Sequence, residues 1–113
     1  MTNTSTTDRA QWDRALDQLT RDHEGDPVVI EVLDQTYGDN EQAERVPFAY
    51  ANYDPRDDVV VIAVGGRSGR YPVALRHMIW HPVEITTASD GMRVADSGGV
   101  ITVVGFFSAD GGL

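Results

Sequence analysis

The sequence predicts an α+β domain: an N-terminal helix followed by a five- or six-stranded, mostly antiparallel and strongly bent sheet. Three observations carry this expectation. Helical spacing of apolar residues (i, i+3, i+4, i+7) stands out once, at Trp12, Ala15, Leu16 and Leu19. After Pro27 the apolar stretches are short, rich in β-branched residues and separated by turn signals. The chain has 113 residues, which is one domain's worth, so helix and strands share one core. Helix-first order with hairpin connections also suits an Sm-like or SH3-like small barrel, an analogy that transfers no function.

The elements follow in order. Residues 1–6 are small and polar and read as a frayed tail. Thr7 or Asp8 caps the helix, with Gln11 completing a capping-box pattern. Gly25 suits the position just past its end, Pro27 bars continuation, and His23 in the last turn suits the dipole. Val28 to Leu33 is a strand, and residues 34–44 read as a polar, acidic loop. Arg45 to Tyr53 is a strand in which Pro47 signals an edge or a bulge. Asp54 to Asp57 is a turn, and Val59 to Val64 is a nearly all-apolar, central strand. Gly65, Gly66 and Gly69 mark a loop. Residues 73–81 are either a helix opened by Pro72 or an extended segment closed by Pro82. Val83 to Ala88, Met92 to Ala95 and Val100 to Phe107 are strands joined by turns at Asp90-Gly91 and Asp96 to Gly99, before a loose tail at 108–113.

Composition excludes several chemistries. The chain has no Cys and no Lys, which removes disulfides, thiolate nucleophiles, Cys-based zinc sites, Schiff-base lysines and the P-loop lysine. No apolar run approaches the ~18 residues of a membrane span. The first fifteen residues hold no apolar signal-peptide segment, so the expected compartment is the cytoplasm and no membrane partner is expected. A formal net charge of -9 has the wrong sign for nucleic acid, which is therefore not an expected partner. That charge is uneven. Residues 59–83 contain no acid and three Arg, whereas the 14 acids of residues 1–58 outnumber five Arg there.

Four stretches together carry a family resemblance. They are the helix from Trp12 closing in Arg21-Asp22-His23-Glu24-Gly25 ahead of Val29 to Leu33; Val46-Pro47-Phe48 with the turn at Asp54 and the strand Val59 to Ile62; His77-Met78-Ile79 leading to His81-Pro82-Val83; and Asp96-Ser97-Gly98-Gly99 running into Ile101 to Phe106. In this order the chain resembles a family of small uncharacterised bacterial proteins, a domain of unknown function. The resemblance implies a compact, sheet-rich domain and no particular activity. The loop Gly65 to Arg70 looks like an addition to its pattern.

Four candidate constellations remain. His77 and His81 would share a face in either conformation, but on a strand they lie ~13 Å apart, too far for one ion. They form a candidate polar site without a metal, and no cofactor is expected. The loop Gly65 to Arg70 fails the dinucleotide fingerprint and the nucleophile-elbow spacing. Its Arg67 and Arg70, with Arg76, form a candidate interface or anion-contact set, because guanidinium forks match carboxylates and phosphates. Glu31 and Glu84 interrupt apolar strands and are the two carboxylates of least ordinary placement. Among the aromatics, Trp12 belongs to the core, while one of Phe106 and Phe107, with Tyr50 or Tyr53 and Trp80, suits an outer face beside Arg. The resulting expectation is a non-enzymatic interaction or self-association domain using Arg67, Arg70, Arg76 and Trp80. The alternative is a small-ligand or anion-binding protein with modest activity from Arg67, Arg70, Arg76 and His77.

Overall fold

The computed structural model describes residues 4–34, 38–65 and 75–107. The elements are β1 (Thr4–Thr6), α1 (Arg9–His23), β2 (Pro27–Asp34), β3 (Gly38–Asp54), β4 (Val59–Val64), β5 (Leu75–Trp80), β6 (Pro82–Ala88), β7 (Gly91–Asp96) and β8 (Ile101–Phe106). The α+β class stands as expected. Among the described residues the strand count is eight rather than five or six, in one antiparallel sheet ordered β1-β6-β7-β8-β2-β3-β4-β5.

The helix forms where its apolar stripe predicts. Asp8 is the N-cap, its carboxylate accepting the Ala10 N–H at 3.0 Å. Trp12, Leu16 and Leu19 are buried, which contributes roughly 1.5–3 kcal/mol each. The chain leaves the helix through Gly25 at φ +90°, a conformation that costs glycine little, and the Gly25 N–H donates to Phe48 O at 2.8 Å. His23 stacks on Phe106 with ring centroids 4.0 Å apart, its Nδ1 3.0 Å from Asp26.

Two readings of the sequence are corrected, and one left open is decided. Thr4–Thr6 is not a frayed tail; it pairs with β6 through Thr4↔Thr87 to Thr6↔Ile85. Small polar residues with β-branching suit a short edge strand as well as a tail. Second, the acidic stretch expected as a loop is strand from Gly38 onward, pairing Asp34↔Gly38 through Val28↔Val46 with two register shifts. Pairing satisfies backbone groups of β2 that β8 leaves open on the other side, and polar side chains do not forbid it. Of the two conformations left open for residues 73–81, the described residues 75–80 take the extended one and add to β4. Residues 66–74, where most of the expected glycine loop falls, and residues 108–113, expected as a loose tail, lie outside the described residues.

The long β3 makes the bend. Its first part pairs with β2 up to Pro47, and its second pairs with β4 from Phe48. Pro47 lacks an N–H where the strand changes partner, so no ladder bond is lost there; a register shift follows between Phe48 and Tyr50. Past this point α1 covers the edge that β2 vacated. The Thr20 hydroxyl accepts the Ala51 N–H at 3.0 Å and lies 2.9 Å from Leu16 O and 3.3 Å from Ala51 O. The inner faces of both halves and the helix stripe meet in one core around Trp12, Phe48, Ile30, Ile62, Ile85 and Val104. Among the described residues no buried side-chain polar atom lacks a partner. No helix among them is long and apolar enough to cross a membrane.

Candidate functional edge and corner cluster

β5 ends the sheet, so its far side carries no strand among the described residues. Its register against β4 runs Val64↔Leu75 to Val59↔Trp80. Two hydrogen bonds fix which backbone groups face outward. The His81 N–H donates to Asp58 O at 2.8 Å, one step past Val59↔Trp80, so Asp58 turns its polar groups towards β5. The Gly65 N–H donates to Pro47 O at 2.7 Å, so Gly65 turns its own towards β3. Alternation along β4 makes these two facts agree. Val60, Ile62 and Val64 therefore serve β5, and their partners Ile79, His77 and Leu75 face back. Arg76, Met78 and Trp80 direct their N–H and C=O groups to the open edge.

The same three residues share the outer face of the sheet. Rows across it read Asp54–Val59–Trp80, Asn52–Val61–Met78 and Tyr50–Ala63–Arg76. Val59 and Ala63 are buried on this face, although they lie apart from the main core. Leu75 (52%), Met78 (40%) and Trp80 (51%) leave much of their surface in solvent, as does Val83 just beyond. Tyr50, Asn52, Asp54, Arg56, Arg76 and Met78 line an open groove of ≈ 540 Å³ on this face.

At its C-terminal end β5 turns into β6 through His81, at φ +57°. A polar cluster holds the corner. Asp58, itself at φ +54°, accepts the Tyr53 hydroxyl at 2.7 Å; its other oxygen lies 3.2 Å from His81 Nδ1. Arg9 reaches the cluster from α1, 3.6 Å from Asp58, and donates to Pro82 O at 3.3 Å. Its guanidinium also lies 5.0 Å from the centre of the Trp12 ring. The Tyr53 hydroxyl, then His81 and Arg9, hold the Asp58 carboxyl below the usual carboxylate range despite partial burial. Burial, then the bond to Asp58, pushes the Tyr53 hydroxyl up.

Of the candidates named from sequence, Arg76 and Trp80 share the outer face of β5. Arg67 and Arg70 lie outside the described residues. His77 is half-buried on the opposite face from Arg76, where burial lowers its pKa. Arg76 and His77 therefore do not converge. His81 is exposed and turned to Asp58. Glu31 stands on β2 and Glu84 on β6, with β7 and β8 between them, so they form no carboxylate pair. Tyr53 is buried, which leaves Tyr50 as the outer-face tyrosine. Sequence reasoning missed Met78, the middle of an i, i+2, i+4 row from Arg76 to Trp80. It also missed Asp58 and Arg9, and named Tyr53 only for an outer face; the sole signal for their cluster was an Asp ending a hairpin turn five residues after a Tyr. Among the described residues no three His, Asp or Glu side chains converge as a metal ion requires.

A family model described as a family of unknown function, DUF5335, matches residues 3–104. The chain belongs to the DUF5335 family. A relative in Aquifex aeolicus (strain VF5), named uncharacterized protein, is 29% identical over 86 residues, covering 76% of this chain and 71% of the relative. No solved structure matches the chain. The DUF5335 match spans α1 and β2 through β7 entirely, so both the open edge and the corner cluster lie within the family's region.

Proposed function

We propose that this chain is an interaction domain that works by strand addition: an extended protein segment pairs with the open edge of β5. One observation carries the reading. Arg76, Met78 and Trp80 combine outward-facing backbone groups with exposed side chains on one face. Backbone pairing then supplies affinity, and the groove beside Met78 supplies selectivity for alternate side chains. Edge strands are ordinarily blunted by charge, proline or bulges, whereas β5 carries one Arg, no acid and no Pro. The corner cluster at Asp58 supports the same reading, because it fixes where β5 ends.

A library of displayed random peptides, selected against the full chain, tests this. Met78→Pro removes an N–H that β4 does not use and so keeps the fold. Selected binders should lose at least tenfold in affinity for that variant and should protect the amides of Arg76, Met78 and Trp80 from exchange. Binders indifferent to Met78→Pro, leaving those amides unprotected, would sink the reading.

A further inference from the structure

We infer that the segment pairing with β5 is β5 of a second copy, in an antiparallel register centred on Met78. This rests on the strand-addition reading above. A twofold axis normal to the sheet pairs residue i with residue j of the same facing, so one residue must meet itself. Centring on Met78 pairs Met78 with Met78 and Arg76 with Trp80 of the second copy, twice over. All three outward-directed residues then exchange N–H···O bonds, and each Arg76 guanidinium sits across from an indole, a favourable cross-strand cation–π pair.

Neighbouring registers do worse. Centring on His77 sets Arg76 against Met78 and carries Trp80 beyond the strand. Centring on Ile79 sets Arg76 against Pro82, which has no N–H to give. Charge agrees with self-pairing. The whole chain is at -9, yet β5 holds no acidic residue, so pairing this edge with itself sets no carboxylates of the two strands against each other. A six-residue edge buries less than the ~1,200 Å² of a standard interface. The dimer is therefore a concentration-dependent one.

The absence of cysteine gives a clean test. In the inferred dimer the two Met78 Cα atoms stand ~5.5 Å apart, within disulfide reach. The two copies of residue 76, or of residue 80, stand about 13 Å apart, beyond it. Full-length Met78→Cys under mild oxidation should give at least tenfold more covalent dimer than Arg76→Cys or Trp80→Cys alone. A mixture of Arg76→Cys with Trp80→Cys should cross-link as the mixed species. Wild-type chain should sediment as a dimer at high concentration, and Met78→Pro as a monomer. Equal cross-linking at all three positions, or a wild-type chain that stays monomeric at millimolar concentration, would overturn the self-pairing. Were peptide binding still abolished by Met78→Pro in that case, strand addition would survive with a different partner. Were it unaffected, both would fall.

Discussion

Asp58→Ala is the substitution whose cost the structure specifies most fully. It removes the acceptor of the Tyr53 hydroxyl, which lies on a buried ring, and both the His81 and Arg9 contacts. Leaving the hydroxyl unsatisfied costs about 1–3 kcal/mol. Alanine at φ +54° adds about 1 kcal/mol, since Asp supports the left-handed conformation better. The contacts to exposed Arg9 and His81 contribute little, being screened by solvent. The expected loss is about 3 kcal/mol, or roughly 12 °C in Tm for a domain of this size. Denaturant unfolding followed by circular dichroism measures it. Tyr53→Phe removes the same bond, so the double variant should lose less than the sum of the single losses. Because the Asp58 carboxyl is lowered in the folded state, its contribution is present above pH ~4 and lost as the pH falls further. The difference between wild type and Asp58→Asn should shrink below that pH. A loss under about 0.5 kcal/mol with Asp58→Ala, or strict additivity with Tyr53→Phe, would refute the corner as a structural clamp.

Three further outcomes are expected. The half-buried His77 has a lowered pKa, so the unfolded chain binds its proton first as the pH falls below about 6.5; stability should drop from pH 7 to pH 5, less steeply in His77→Leu, by urea unfolding at both pH values. Thr20→Val orphans the Ala51 N–H and should cost about 1–3 kcal/mol in denaturant unfolding, whereas Thr20→Ser should cost less by keeping the hydroxyl. Gly91→Ala would place its Cβ on the Val104 carbonyl oxygen, a backbone atom that cannot swing away, and should cost about 1–3 kcal/mol by thermal melt.

The sequence made legible whatever depends on local pattern. Trp12, Leu16 and Leu19 announced the helix, and Asp90-Gly91 and Asp96 to Gly99 announced their turns. Gly99 takes φ +85° and Asp96 accepts the Gly98 and Val100 N–H groups, as such turns require. What depends on partners far along the chain was not legible. The extension of β3 to Gly38 is set by backbone pairing with β2, which its polar side chains do not advertise. The corner brings together Arg9, the Tyr53–Asp58 hairpin and His81 from three places in the chain. Arg76 and Trp80 were named from their type and from the acid-free stretch around them. That they share an outward backbone phase with Met78 follows from the β4 register, which composition does not contain.

Amide hydrogen exchange along β5 tests the open edge most directly. In dilute chain, the account predicts slow exchange at His77 and Ile79, whose N–H groups bond to β4, and fast exchange at Arg76, Met78 and Trp80. Raising the concentration should slow those last three and leave the first two unchanged. Uniform protection along β5 in dilute chain, or the reverse alternation, would contradict it.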